Sequence, residues 1–221
     1  NNDRGIIEKL VSILEKEFFY SPTIEAKQYQ IKKRNGELET HTTYCIRINR
    51  KIINDFLVLN FDLLNRKALS KEIPTQIFVS PKEVIFQFIS GLIDGDGSVH
   101  NKRKIVHYGS ISEKLVDQLM TLLLSQNIFS HKLIDNSLSE EGSVLGRKIQ
   151  NTHPFYYLEI RGENSIKLSL NLQLGSKDKD LRTKRLLSEK TTGQGFNTYD
   201  LIPYGAKMLF GELSEKHLGG G

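Results

Sequence analysis

Hydrophobic residues recur along this chain in two rhythms. At three- and four-residue spacing, Ile6, Ile7, Leu10, Val11, Ile13 and Leu14 mark one amphipathic helix. Leu115, Val116, Leu119, Leu122 and Leu123 mark another. The two open on related strings, "GIIEKLVSIL" (5–14) and "SISEKLVDQL" (110–119), which share Glu-Lys-Leu-Val. Strand-like runs follow each helix. "TIEAKQYQIKKRNGELETHTTYCIRIN" reads as two strands around an Asn35-Gly36 turn. "FSHKLIDNSLSEEGSVLGRKIQNTHPFYYLEIRG" is its longer counterpart, with Tyr44-x-x-x-Ile48 matched by Tyr156-x-x-x-Ile160. Short helices are predicted next, over 51–59 and 164–172, and then basic segments, "NRKALSKEIP" and "GSKDKDLRTK". The order helix, strand, strand, helix, basic loop therefore occurs twice, and four matching elements in one order point to an internal repeat.

The second copy carries more. Ahead of its Glu-Lys-Leu-Val helix lie "PKEVIFQFISGLIDGDGSVH" (81–100) and a hairpin predicted over 98–110. An equivalent helix in the first copy would precede residue 1, so the chain is expected to begin inside its first repeat. The expected organisation is an incomplete first repeat over 1–78, a second over 79–190 and a C-terminal extension over 191–221.

The 81–96 helix has its own start and stop signals. Ser80 is the expected N-cap, Pro81 the first helical residue, and Glu83 closes a capping box. Val84, Ile85, Phe88, Ile89, Leu92 and Ile93 spread around most of the circumference, which predicts burial between layers. Gly91 and Gly95, spaced i, i+4, leave one face bare. Glycine inside a helix costs about 1 kcal/mol relative to alanine, and close approach of a second backbone would offset that through dispersion contacts. Asp94 and Asp96 sit at the C-terminal end, where the helix is already partially negative. Two such tips side by side would repel unless a divalent cation lay between them, and oxygen ligands favour Mg²⁺ with an activated water. Taken alone, Asp-Gly-Asp-Gly also reads as a hairpin turn. An EF-hand is excluded, because Val99 and Ile105 stand where its Gly and Glu belong.

Composition narrows the classes. The net charge is +5 and the pI near 9.1, which leans toward a polyanionic partner. No apolar run is long enough to span a membrane, and nothing reads as a signal peptide. The lone Cys45 excludes an intramolecular disulfide and a cysteine-based zinc site, and it fits a soluble, reducing intracellular compartment, whether prokaryotic cytoplasm, nucleus or organelle.

"ISGLIDGDG" (89–97) resembles the motif of the LAGLIDADG homing endonucleases, departing at its first two and seventh positions. The order of elements over residues 1–190 is similar to that family's αββαββα repeat. The resemblance implies an α/β (α+β) fold of two pseudo-symmetric repeats with saddle-shaped antiparallel sheets, the first repeat lacking its motif helix. It implies that two motif helices meet at the centre, in a two-repeat monomer or a homodimer, with Gly91, Gly95 and Asp94 at their interface. Asp96 is then the metal-binding aspartate and the Gly95 carbonyl a further ligand. The cofactor implied is Mg²⁺, with Ca²⁺ or Mn²⁺ as substitutes. Intein-borne members also carry a catalytic lysine after each repeat's last helix. Lys71 in "SKEIP" and Lys179 in "KDKDLR" occupy those positions, with Lys177 adjacent; surface lysines are the plainer reading of both. The tail "GFNTYDLIPYGAKMLFGELSEKHL" resembles the segment after the endonuclease core of archaeal-type inteins. No nucleophile-led block and no terminal His-Asn are present, so the chain as given is not expected to splice.

Family members lay hairpin sheets along the major groove of double-stranded DNA with long asymmetric target sites. The strands here carry basic and amide side chains that would share one face. In the first repeat these are Lys27, Gln28, Gln30, Lys32, Arg34 and Arg47. In the second they are His100, Lys102, Arg103, Lys104, His107, Arg147, Lys148 and Arg161. The activity implied is metal-dependent, site-specific cleavage of duplex DNA. With one motif present, the second metal-binding aspartate would come from an upstream segment or a second chain. The alternatives are a non-cleaving DNA- or RNA-binding protein of the same fold (a maturase or regulator) and an intein with its splicing ends trimmed.

Overall fold

The computed structural model describes residues 3–32, 36–61, 67–136, 142–144, 147–149 and 153–188, all within one compact unit that ends at Ser188. Helix α1 (Arg4–Phe18) begins where the Asp3 carboxylate accepts from Gly5 N at 2.9 Å. It stops at Phe19, which takes a left-handed conformation (φ 48°). Strands β1 (Thr23–Lys32) and β2 (Leu38–Arg47) pair antiparallel over their whole length, and α2 (Lys51–Phe61) follows. A short 3-10 turn (Ala68–Ser70) and α3 (Thr75–Phe78) lead into α4 (Lys82–Asp96).

Strands β3 (Gly97–His100) and β4 (Ile105–Ser110) form the expected hairpin, and α5 (Glu113–Ser125) is capped by Ser112. Next come β5 (His131–Asp135), the small pair β6 (Gly142–Val144) and β7 (Arg147–Ile149), and β8 (Phe155–Arg161). Helices α6 (Gly162–Ser169) and α7 (Lys177–Ser188) end the described chain. Four strands form one antiparallel sheet in the order β3-β4-β8-β5. The fold is mixed α/β. Its segment α1-β1-β2-α2 repeats the order α5-β5-β8-α6, as the sequence repeat requires.

Alternation decides what the sheet buries. Val99, Val106, Tyr108, Leu158 and Ile160 point inward and are at most 2% exposed. They pack with Ile85, Phe86, Ile89 and Ile93 of α4 and Leu115, Val116, Leu119, Leu122 and Leu123 of α5. The matched helix α1 is less covered: Leu10 is 45% exposed, whereas its counterpart Leu115 is 3% exposed.

Three expectations need correction. The Ser80 capping box does not form. Pro81 holds the cap position with ψ 152°, its carbonyl accepts from Val84 N and Ile85 N, and Ser80 Oγ donates to Gln76 O instead. Helix α4 is not buried all round, since Val84, Gly91 and Gly95 are exposed along one side. The second basic segment is not a loop: from Lys177 it is helix α7.

Candidate active site

The two carboxylates of the Asp-Gly-Asp-Gly stretch have opposite environments, although both fall on the last turn of α4. Asp94 is 5% exposed. Its oxygens accept from Gly175 N at 2.7 Å and Ser176 N at 3.1 Å, and Lys9 Nζ stands 3.9 Å away. Those amides immediately precede α7, where a helix presents unpaired N–H groups and partial positive charge, so Asp94 caps its neighbour. The exchange is reciprocal. Lys179, on the first turn of α7, donates from Nζ to the Ile93 and Asp94 carbonyls, each at 2.8 Å. These carbonyls belong to the last turn of α4, where the Ile93 oxygen also accepts from the capping Gly97 N–H. Ser90 strengthens the seam: its buried hydroxyl donates to Phe86 O and accepts from Gln173 N. Burial holds the Lys179 ammonium below its usual range, opposed by the charges of Asp94, Asp3 and Asp96.

Asp96 is exposed. Its charge reaches the buried Tyr108 phenol on β4, which burial first and Asp96 second push up to about 12. Gly91 and Gly95 lie on the same open side. A Cβ built on either would meet nothing within 4 Å. With the exposed Val84 they make an open stripe at helical spacing, flanked by Phe88 and Leu92, which are partly buried against the core. Lys71 lies on the linker before α3. Its side chain is exposed and its backbone carbonyl accepts from Ser112 Oγ at 2.6 Å. Lys177 is exposed, 3.8 Å from a Glu8 oxygen.

The donor set at the tip is an exposed carboxylate beside the last backbone carbonyls of a helix. These are hard oxygens at a partially negative end, which fits a hydrated Mg²⁺ taking one or two protein ligands. Asp94 is already engaged by two amides and adds nothing. Among the described residues no group of three or more His, Cys, Asp or Glu side chains is placed to hold a metal. The described tip therefore offers one exposed carboxylate and backbone carbonyls.

Outward from the four-stranded sheet, the pairing register aligns Ser98, His107, Glu159 and His131 across all four strands. Beside that row run His100, Ile105 and Arg161. The rings of His100 and His107 lie 5.1 Å apart. Lys102, Arg103 and Lys104 fill the turn between β3 and β4, where Lys104 has φ 50°. Glu159 was missed by sequence reasoning. Its signal was present as the Glu159-x-Arg161 spacing, which puts both side chains on one strand face. Burial moves the His107 imidazole below its ordinary value, with Glu159 pulling the other way and His100, Arg161 and Arg103 adding to the depression.

The first hairpin splits the candidates that were expected together. Lys27 opposes Thr43, and Arg47 opposes Thr23 and pairs with Glu25 at 2.9 Å, on one face. Gln28 and Gln30 oppose Thr42 and Thr40 on the other. Lys27 and Gln28 are adjacent in one strand, so a two-residue period sends their side chains to opposite faces. Arg34 lies outside the described residues, as do the side chains of Lys32, Arg147 and Lys148 and the whole 191–221 extension.

Residues 83–171 match the LAGLIDADG-like domain. Related sequence occurs in the ATP-dependent DNA helicase Hel308 of Methanocaldococcus jannaschii, 30% identical over 169 residues, covering 76% of this chain and 13% of the helicase. The DNA-directed RNA polymerase subunit Rpo1C of the same organism is 28% identical over 169 residues, 76% of this chain and 17% of the subunit. A DNA polymerase of Thermococcus sp. (strain GE8) is 29% identical over 160 residues, 69% of this chain and 8% of the polymerase. The chain thus spans less than a fifth of each of these relatives.

Proposed function

Because this chain belongs to the LAGLIDADG homing endonuclease family, we propose that it is a site-specific endonuclease that hydrolyses phosphodiester bonds of double-stranded DNA with Mg²⁺. Family membership by itself carries a homing-endonuclease-type or related DNA-binding function; cleavage is the finer step. The observation that supports it most is the division of labour at the end of α4. One aspartate is spent on structure, and the other is exposed at a helix tip beside the open positions of Gly91 and Gly95.

In this reading Asp96 and the Gly95 carbonyl hold the cation, which when bound supplies charge stabilisation and a water of lowered pKa. Lys179 fixes the direction of the tip through the Ile93 and Asp94 carbonyls. Its remaining N–H can meet charge that develops on the phosphate. Lys71 takes the corresponding role in the first repeat from its exposed linker. The stripe from Val84 to Gly95 receives a second acidic-tipped helix, from a preceding segment or a second chain, and completes the metal site. Basic side chains on the open sheet face contact a long asymmetric duplex.

The relatives favour a mobile-element context. A helicase, an RNA polymerase subunit and a DNA polymerase have little in common, yet each shares a short stretch with this chain. A segment inserted into host genes, intein or intron borne, accounts for that distribution. The half-built metal site keeps a second reading open, a binding protein of the same fold that does not cut.

If the insertion reading holds, the target is the host sequence with the insertion removed. Incubation of that joined duplex with the protein and Mg²⁺ is expected to give double-strand cleavage with short 3′ overhangs. Asp96→Asn should bind the same duplex without cutting it. Cleavage by Asp96→Asn at the wild-type rate would overturn the assignment.

A further inference from the structure

The basic side chains of the open sheet face are not equivalent. Lys102 and Arg103 project from a turn and are exposed. Arg161, by contrast, is held. Its Nε donates to Glu159 Oε2 at 2.6 Å, and its Nη2 donates to the same oxygen. On its other side His107 Nε2 stands 3.2 Å from Glu159 Oε1 without a hydrogen bond, so the carboxylate is held by the Arg161 fork itself. The carboxylate is 12% exposed and the guanidinium 47%, so the acid lies beneath and the fork faces out. The backbone is pinned as well, since Arg161 ends β8 opposite Ile105 and the next residue, Gly162, donates its N–H to Lys104 O at 3.1 Å.

Two consequences follow from elementary chemistry. A guanidinium has five N–H donors, and the carboxylate takes two of them. The outer N–H of Nη2 and both of Nη1 remain, in a fork whose rotamer is already paid for in entropy. Second, the pair is neutral as a unit, so its pull on phosphates is largely cancelled. A phosphate contact needs charge and no fixed fork; a base contact needs a fixed fork and little charge. In the major groove, the acceptor pair that matches a guanidinium fork is O6 and N7 of guanine.

Resting on the DNA reading above, we propose that Arg161 is a guanine-reading residue and that Glu159 is the positioning residue that aims it. Lys102 and Arg103 at the neighbouring turn serve as phosphate contacts.

The test is a binding experiment in EDTA. Wild-type protein selects from a pool of randomised duplexes, and the selected sequence is then varied one base pair at a time across several salt concentrations. Wild type should discriminate for guanine at one position. Arg161→Lys keeps the charge and loses the fork. It should weaken binding to the best duplex roughly 5- to 150-fold and abolish preference at that position. Its affinity for duplexes already lacking that G·C pair should be unchanged, which also reports an intact fold, and so should its salt slope. The charge-balanced pair Glu159→Gln/Arg161→Gln should behave alike. Lys102→Ala should instead lower the salt slope by about 0.9 and leave the base preferences as they were. If Arg161→Lys retains the wild-type preference at every position, Arg161 does not read a base, although the DNA reading stands. If the wild-type protein enriches no sequence from the pool, both fall.

Discussion

Asp94 and Asp96, separated by one glycine in the same turn, have opposite environments, and single substitutions should separate them. Asp94→Ala would leave Gly175 N and Ser176 N without their acceptor at a seam that is 5% exposed. A loss of about 2–3 kcal/mol is expected in urea unfolding. Asp96→Asn removes an exposed carboxylate and should change stability by less than about 0.5 kcal/mol. Equal effects would mean that Asp94 is not structural. Tyr108 reports on the same tip. Its phenol titrates near 12 in the folded chain and near 10 when unfolded. Between those values the unfolded chain binds fewer protons than the folded one, so stability falls as pH rises, by at most about 1.4 kcal/mol per unit. Tyr108→Phe should flatten that fall, and Asp96→Asn should bring the tyrosine titration to lower pH. An alkaline profile unchanged by Tyr108→Phe would contradict this.

At the scale of elements, α4 and α7 cap each other, and α4 keeps one side bare. Gly91→Ala adds a methyl into open space and replaces the poorest helix former short of proline, so the chain should gain about 0.5–1 kcal/mol. If a second helix packs there, cleavage should drop although stability rises. A variant both more stable and fully active would show that nothing docks on this side. Gly5→Ala is the contrast: its Cβ would clash with the Gly175 carbonyl oxygen, so it should destabilise the seam between α1 and the loop before α7.

Helix and strand positions were legible because apolar period survives in sequence. The repeat showed itself through Glu-Lys-Leu-Val in α1 and α5. What failed was local and physical. Helix α7 was hidden because its helical turns carry charge, with only Thr183 and Leu186 buried in it. Ser80 lost the cap position because Pro81 carries the extended backbone one residue later. The face of β1 was misjudged because strand phase is a matter of one residue, which only the pairing of Lys27 with Thr43 and of Gln28 with Thr42 resolves.

For the whole molecule, the motif identified the family from nine residues, and the fold agrees with it. The helix that carries Asp94 and Asp96, and its end at Asp96, were legible in the sequence. Sequence could not tell that Lys179 would be engaged by two carbonyls, or that Asp94 would be buried and bonded while Asp96 stayed exposed, because both depend on α7 docking against α4 from more than eighty residues away. The central claim is that the Asp96 tip is half of a metal-dependent nuclease site. The most direct measurement is recovery of double-strand ends from a plasmid library carrying randomised inserts, after exposure to the protein with Mg²⁺ or with EDTA. The account expects a narrow set of inserts cut by wild type in Mg²⁺, and none cut in EDTA or by Asp96→Asn. The same set cut by Asp96→Asn, or cutting that persists in EDTA, would contradict it.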